Sequence, residues 1–471
     1  MATPCQPGVA ASPVDRQPLD TTSGWRAAPL RLSLEDAVAL GLRDNRAIRS
    51  ARLARIAQKF DLVVANRHFV PRVDILTGGE TRRDDGATAT STSVSPTMRW
   101  RSPTGATVAA SWSRVADSRY GGDFETRSLT VSQPLMKGAG FTIAGAPVQQ
   151  ARLQEIINQL ALKATFSDTI TAIILAYRSL VQAQRQVDLA DASLQRTVAL
   201  VETSRLLIDA GRMAAADIVQ AQSRQAIQRV ALSQARQQQT SAQLTLLRLL
   251  ALDLQTSVVV DTSQPTSHQS LDISELSAGA LANRMDVLAL EHALEQARLT
   301  LTVASNARLW DLSLYGSIQH QRTPDIAGPA GRASSQMVGL QLNIPFGDFS
   351  LRQSELRAQI NVRTAALQLE ELRQAVVAQV QDAAQSVEAD WQQLELARQA
   401  RTLTRQALDI AHDKLKAGRA SNFEVLSIEA DLRAADIQAL TAEITYLNAL
   451  TLLDQLTGRT VETWKIDFAG D

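Results

Sequence analysis

The sequence predicts a mainly helical fold in which two copies of a helix-strand-helix unit contribute a small set of membrane-type β-strands. Only 4% of the 471 residues are aromatic, and apolar residues recur at spacings of three and four over very long stretches. Strict alternation of apolar and polar residues is confined to two shorter regions. These patterns are typical of long packed helices with a separate sheet rather than of a compact enzyme core.

The chain contains an internal duplication. Gly211 and Gly418 each lie between Ala and Arg, and each follows a long segment of helical periodicity. Their offset is 418 − 211 = 207, and Pro134 and Pro345, each before such a segment, are offset by 345 − 134 = 211. A repeated order of similar motifs at a nearly constant offset predicts two structural repeats.

The first repeat is longer than the second in its strand region. Val73 aligns with Leu312 at an offset of 312 − 73 = 239, so the first repeat has 239 − 211 = 28 extra residues before Pro134. Alternation continues through these residues, which predicts one additional hairpin, Val94 to Gly121. Strands are expected over about 71–135 and about 310–345.

Helices are predicted on both sides of each strand region. Ser33 with Asp36 has the pattern of a capping box and opens a helix that runs to about Asn66, stopped before Pro71. Long helices follow, from about Ala146 to Asp209 and from about Phe349 to Lys416. We expect neither to contain an internal Pro or Gly, and each to extend roughly 95 to 100 Å at 1.5 Å per residue.

The predicted division of the chain follows from these repeats. Residues 1–30 form a disordered N-terminal tail, 31–257 the first repeat, 258–457 the second repeat and 458–471 a C-terminal tail. The tail shows no signal-peptide pattern. It contains Cys5, the only cysteine, which excludes an intrachain disulfide; a lipid anchor on Cys5 is the less favoured alternative to an incidental thiol.

Charge and hydropathy exclude several classes of protein. The formal net charge is +0, with 48 basic and 48 acidic residues, so nucleic acid is not an expected partner. No run approaches the roughly 20 apolar residues of a spanning helix, the nearest candidate being Ile170 to Leu175. If the chain crosses a bilayer, we expect it to do so with strands.

Four to six amphipathic strands are too few to close a membrane barrel, which takes about eight at the least. An open sheet in lipid would expose unpaired backbone groups that cost several kcal/mol each. The sequence therefore predicts oligomerisation without fixing the number of subunits. A soluble antiparallel sandwich is the alternative, and the length of the helices counts against it.

The motifs resemble those of the TolC-like outer membrane efflux proteins. The likeness covers about residues 31–457 and includes Leu-Ser-Leu-Glu-Asp-Ala-Val-Ala-Leu from Leu32 with Asn45, its echo Leu-Ala-Asn-Arg from Leu281, the two Ala-Gly-Arg turns and the prolines at the ends of the strand regions. The resemblance implies a homotrimer in the outer membrane, with a twelve-stranded β-barrel and a coiled-coil α-barrel tunnel through the periplasm. It also implies docking to a periplasmic adaptor, the membrane fusion protein, and through it to an inner-membrane pump.

Two features depart from the family pattern. The family usually has a proline where this chain has Trp310. The additional hairpin gives six strands per chain, so either a trimeric barrel grows to 3 × 6 = 18 strands or the hairpin lies outside the barrel; the sequence leaves both open.

The resemblance also implies functional positions at the two turns. Asp217 and Glu424, each six residues past the turn glycine, correspond to a periplasmic gate in which a trimer forms rings of like charge that attract cations. Helix capping is the alternative role, because Ser421 with Glu424 also fits a capping box. Gly211, Arg212, Gly418 and Arg419 are the expected adaptor-docking turns, the arginines alternatively neutralising helix C-termini.

No catalytic, cofactor-binding or metal-binding constellation is found in the sequence, and the five histidines are scattered. An enzyme is therefore not expected. The predicted function is export of small molecules through the channel of a tripartite efflux system. A duct for type I protein secretion is the alternative, and a periplasmic adaptor, which has one helical hairpin rather than two, is a weaker one.

Overall fold

The structure is a computed structural model of the chain. It describes residues 30–84, 87–118, 122–211, 214, 217–262, 266–323, 331–417 and 419–465. The predicted N-terminal tail lies almost entirely outside the described residues, as do residues 324–330 and the end of the predicted C-terminal tail.

The first half of the chain forms strand β1, two helices, four strands and two long helices. The elements are β1 (Leu30–Leu32), α1 (Leu34–Asp44), α2 (Arg46–Asn66), β2 (Arg72–Asp84), β3 (Ala87–Arg101), β4 (Thr107–Asp117), β5 (Gly122–Pro134), α3 (Phe141–Asp209) and α4 (Asp217–Leu250).

The second half repeats this order with two strands instead of four. Its elements are β6 (Val258–Val260), α5 (Ile273–Asn283), α6 (Met285–Ala307), β7 (Asp311–Arg322), β8 (Arg332–Asn343), α7 (Phe349–Lys416), α8 (Asn422–Leu456) and α9 (Thr460–Thr463). The fold is thus mainly helical with a sheet, as predicted. Helices α3 and α7 have 69 and 68 residues, so each extends roughly 100 Å.

The single helix predicted from Ser33 to about Asn66 is wrong, because the chain forms two helices separated by Asn45. The capping box itself is present: Ser33 Oγ accepts from the Asp36 N–H at 3.1 Å and the Ser33 N–H donates to the Asp36 carboxylate at 3.2 Å. Asn45 has ψ 133, outside the helical region, and its side-chain oxygen accepts from the Ala47 N–H at 2.7 Å. Such N-capping starts a new helix.

Helix α3 begins earlier than predicted, at Phe141, so it contains Gly145 as well as Pro147, which already lay within the predicted range. The expectation of a helix free of internal Pro and Gly is therefore wrong for α3. Pro147 is the seventh residue of α3, beyond the first turn, so the helix lacks one backbone hydrogen bond there. Gly140, with φ 93, precedes the helix and turns the chain from the strand region into α3.

All six longer strands form one antiparallel sheet in the order β2-β3-β4-β5-β7-β8. The additional hairpin is part of this sheet, because β3 pairs with β2 and β4, and β4 pairs with β5. The turn between β3 and β4 packs against the start of α3: Gly140 donates its N–H to Thr104 O at 3.1 Å. The sheet of one chain therefore has six strands, and whether a barrel of several copies includes all of them stays a prediction.

A layer of helices continues from the sheet. Helix α2 leads into β2 at one edge of the sheet, and α7 follows β8 at the other edge. Within the layer, α2 packs on α3, α3 packs on α6, and α6 packs on α7. The long helices pair with α4 and α8 as two antiparallel hairpins. The sheet and the turns of the two hairpins therefore lie at opposite ends of an elongated chain.

The largest core surrounds α3 in the middle of the helical part, where Ile170, Ile173 and Tyr177 are fully buried. Helix α3 does contain an 18-residue window that is apolar enough to cross a membrane, which the sequence analysis missed, but 56% of that window is buried inside the chain. The burial identifies this stretch as a core helix. A second core joins α5 and α6 to α7 and α8.

Candidate functional site

The end of the helical hairpins farthest from the sheet contains both predicted turns. In the first, α3 ends at Asp209, and Gly211, with φ 71, donates its N–H to Ile208 O at 2.9 Å. In the second, α7 ends at Lys416 and the Arg419 N–H donates to Lys414 O at 2.8 Å. A left-handed residue after a helix satisfies its last carbonyls and reverses the chain, which suits glycine.

Only part of the predicted docking surface is described. Gly211 and Arg419 are exposed, whereas Arg212 and Gly418 lie outside the described residues. A methyl group built on Gly211 would meet no atom within 4 Å, so the surface at this turn is open. The docking role of these four residues stays a prediction.

The two predicted gate acids lie in the first turns of the returning helices. Asp217 is the first residue of α4, and its side chain lies outside the described residues. Glu424 is exposed, and its backbone N–H donates to Ser421 Oγ at 3.2 Å. Among the described contacts only this half of the predicted capping box is formed, because no bond joins the Glu424 carboxylate to the Ser421 backbone. The exposed carboxylate is therefore not needed to cap α8.

Polar contacts between the two hairpins near these turns were missed by the sequence analysis. Asn422, the first residue of α8, is buried and donates from Nδ2 to Ser204 Oγ on α3 at 2.7 Å. About two turns further along α8, the buried Glu429 accepts from Arg196 Nε at 3.0 Å. Polar residues at positions of a helical seam were the available signal, and the sequence analysis did not use it.

A small apolar cluster supports these contacts. It joins α3, α7 and α8 and consists of Leu200, Leu408, Ala411, Leu415, Val425, Leu426 and Leu432. Because Ser204 and Asn422 lie beside this cluster, their hydrogen bond is shielded from water. Bonds in such surroundings fix geometry more strongly than exposed ones.

A second connection between the hairpins lies near the middle of α3. Arg178 donates from Nη1 to Thr451 Oγ1 at 2.7 Å and to the carbonyl of Leu447, both on α8. Burial lowers the pKa of the Arg178 guanidinium to about 10. The two repeats are therefore joined by buried polar contacts as well as by packing.

No group of three or more His, Cys, Asp or Glu side chains in the part of the chain that the structure describes is arranged to hold a metal ion.

Comparisons with known proteins define the class. Residues 276–459 match the family model described as outer membrane efflux protein. Outer membrane efflux protein BepC of Brucella suis is 25% identical over 323 residues, covering 66% of this chain and 68% of BepC. In fold and in these relatives, the chain is thus similar to outer membrane efflux channels.

Solved structures show the same fold. VceC of Vibrio cholerae aligns with a TM-score of 0.70 at 17% identity, covering 90% of this chain and 96% of VceC. The MtrE outer membrane channel of Neisseria gonorrhoeae aligns with a TM-score of 0.68 at 16% identity, covering 91% of this chain and 89% of MtrE. The resemblance to the outer membrane efflux proteins and the outer-membrane location predicted from the sequence are both confirmed.

Proposed function

We propose that this chain is the outer-membrane channel subunit of a tripartite efflux system and exports small molecules through a trimeric tunnel. The observation that carries the proposal is an open sheet of six strands above helical hairpins that extend roughly 100 Å. A sheet with two free edges at one end and hairpins at the other suits a ring of copies that forms a barrel continuous with a tunnel.

The two edge strands are suited to each other. Within the described residues β2 and β8 each have one edge without a strand partner, and they have 13 and 12 residues. Their apolar side chains are strongly exposed, for example Ile75 at 68% and Val338 at 81%. Pairing of β2 with β8 of the next copy would give hydrogen-bond partners to the free backbone groups of both edges, which lipid cannot provide.

The helices next to these edges have matching apolar surfaces. Helix α2, beside β2, exposes Leu53, Ile56 and Phe60, and α7, beside β8, exposes Leu356 and Ile360. A ring in which α2 of one copy packs on α7 of the next would bury both surfaces. Such a head-to-tail contact closes only when the rotation between copies fits a whole number of subunits.

We further propose that the barrel of this trimer has 3 × 6 = 18 strands, since each chain contributes one six-stranded sheet. Barrel diameter grows roughly in proportion to strand number, so the barrel would be about one and a half times as wide as one of twelve strands. Mass measurement in detergent should give three chains, and electron cryomicroscopy should show 18 strands. A trimer with twelve barrel strands and the hairpin β3-β4 outside the wall would contradict this part of the proposal.

The adaptor and the inner-membrane pump are the proposed partners, and toxic small molecules are the proposed cargo. Disruption of the chain should raise the sensitivity of the host cell to drugs or metals, and expression from a plasmid should restore resistance. Unchanged sensitivity to every toxicant tested, with loss of a secreted protein instead, would favour the protein-secretion duct.

A further inference from the structure

The sheet has one face that is apolar near the helices and charged toward the opposite end. Register places Leu129, Ile318 and Leu314 on this face, because Leu129 lies opposite Ile318 and the other positions follow in steps of two. Across the neighbouring strands the same face carries Val108, Ala110, Val131, Leu312, Val338, Leu340 and Leu342. We call it the apolar face.

The apolar pattern ends abruptly. Two to four residues beyond Leu129 and Ile318, the same face carries charges on three neighbouring strands: Arg322 lies opposite both Glu125 and Arg332, and Arg127 lies opposite His320. On the next strand, Arg114 lies opposite Glu125. We call Arg114, Arg127, Arg322 and Arg332 the arginine cluster.

The carboxylates on this face are already engaged. Glu125 accepts from Arg127 Nη2 at 2.6 Å and from Trp112 Nε1 at 2.7 Å. Asp123 accepts from Arg114 Nε at 2.8 Å. Each of the two acids therefore already balances one arginine of the cluster.

Arg322 and Arg332 face each other across β7 and β8, and no carboxylate of a described residue lies within 4.0 Å of either guanidinium, although Glu125 interacts electrostatically with Arg322 at longer range. Like charges directly opposite each other on one face of a sheet are destabilising. Both side chains are exposed and, together with Arg127, His320 and the already engaged Glu125, line a surface pocket of about 470 Å³. A bound anion between the two guanidinium groups would remove the repulsion, and guanidinium binds phosphate oxygens in pairs.

The position of the arginine cluster favours a lipid headgroup as the source of the anion. From Leu312 to Arg322 the strand advances ten residues, roughly 33 Å at about 3.3 Å per residue. With the strand tilt of a membrane barrel, about 40°, this corresponds to a height of roughly 25 Å, the height of the apolar band of such barrels. Trp112, next to the cluster and half-exposed, is the kind of residue found where that band meets the headgroups.

We propose that Arg322 and Arg332, assisted by Arg127, bind the phosphate group of a lipid headgroup in the outer leaflet of the membrane. This inference rests on the proposed function, since only a membrane-embedded sheet places its outer face against lipid. The cluster lies at the end of the sheet farthest from the helices, and therefore at the outer surface of the cell. Bound lipid would hold the barrel at a fixed depth.

The test uses the full chain assembled in detergent micelles and three probes: a phosphorylated glycolipid, a zwitterionic phospholipid and inorganic phosphate. Native mass spectrometry measures binding to the wild type and to the double variant Arg322→Gln/Arg332→Gln. The matched control is Arg72→Gln/Arg99→Gln, since these arginines also lie directly opposite each other but on the other face of the sheet. We expect the wild type to prefer the phosphorylated lipid, and the double variant to bind it at least about tenfold more weakly.

Several outcomes would overturn the proposal: equal binding of the two lipids, unchanged binding by the double variant, or an equal loss in the control. Inorganic phosphate competing as well as the lipid would also overturn it, because the site would then serve a free anion. If the double variant fails to assemble, the variant Arg322→Lys/Arg332→Lys replaces it, because lysine keeps the charge but not the paired donors. We expect this variant to bind the phosphorylated lipid with intermediate affinity. Binding equal to that of the wild type would contradict the role of the guanidinium groups. A wild-type chain that stays monomeric and ignores lipid would refute the channel itself.

Discussion

Asn422 at the start of α8 and Ser204 near the end of α3 are joined by a buried hydrogen bond of 2.7 Å. Ser204 Oγ in turn donates to Leu200 O at 2.8 Å, so the contact is part of a short chain of bonds. It connects the first helical hairpin with the second close to both turns. In a ring of copies, the end of the tunnel can widen only if contacts of this kind are released or shifted together.

We predict that Asn422→Ala raises single-channel conductance in planar bilayers, because the two hairpins lose their polar connection near the turns. The variant should also be less stable by about 1 to 3 kcal/mol, the typical effect of deleting one partner of a buried hydrogen bond. Asn361→Ala is the control, since Asn361 is exposed on α7. Unchanged conductance in a normally assembled Asn422→Ala channel would show that the bond does not restrict the opening.

The gate acids can be tested separately from helix capping. Replacing both Asp217 and Glu424 by Ala should raise conductance and reduce the preference for cations, because the proposed rings of negative charge are lost. Ser421→Ala removes the oxygen that accepts from the Glu424 N–H and should lower stability by about 1 kcal/mol without changing ion selectivity. Should the double variant conduct like the wild type while Ser421→Ala reproduces its loss of stability, the acids would be helix caps only.

The general architecture was predictable because it depends on periodicity. Period-two alternation and long helical seams are properties of the sequence itself, and they located the strands and the long helices within a few residues. The predicted start of α3 at about Ala146 lies five residues after the observed start at Phe141, because the helix passes through Gly145. Asn45 was recognised as part of a motif, but the sequence did not indicate that it ends α1 and caps α2.

The tertiary contacts near the turns were not predictable from one sequence. Ser204 and Asn422 are 218 residues apart, and nothing local indicates that two different hairpins bring them together. The place of the additional hairpin was also undecided, because alternation specifies a strand but not its neighbours. Only the register of β3 and β4 assigns them to the sheet.

The turn between β3 and β4 offers a test of the additional hairpin. Gly105 has φ 96, and a methyl group built on it would lie 2.4 Å from Gly138 O in the loop before α3. Gly105→Ala is therefore both strained and sterically blocked, and we expect it to lower the yield of assembled protein in the outer membrane. Gly145→Ala is the control, because a methyl group there would meet no atom within 4 Å. Equal yields for the two variants would mean that this turn does not have to pack against the start of α3.

The ion pair of Arg55 on α2 with Glu155 on α3 joins two helices of the layer next to the sheet. Arg55 Nη1 donates to Glu155 Oε2 at 2.6 Å, and a second bond joins Nη2 to Oε1. The two side chains are only 5% and 12% exposed. Arg55→Gln would remove the charged partner of a largely buried carboxylate that keeps only its hydrogen bond from Gln159 Nε2, at 3.1 Å, so we expect a loss of about 1 to 3 kcal/mol.

The same pair predicts a dependence on pH. Hydrogen bonds from Arg55 hold the pKa of Glu155 below its usual value of 4.5. A lowered carboxylate pKa contributes stability that is fully present above the unfolded-state pKa and is lost as pH falls through the folded-state pKa. The difference in thermal midpoint between wild type and Arg55→Gln should therefore be constant from pH 7 to about pH 5 and shrink below about pH 4.5. The exposed pair of Arg49 with Asp44, at 2.7 Å, supplies the control, since Arg49→Gln should cost less than about 1 kcal/mol. A difference that stays the same down to pH 3 would show that the ionised form of Glu155 is not what the pair stabilises.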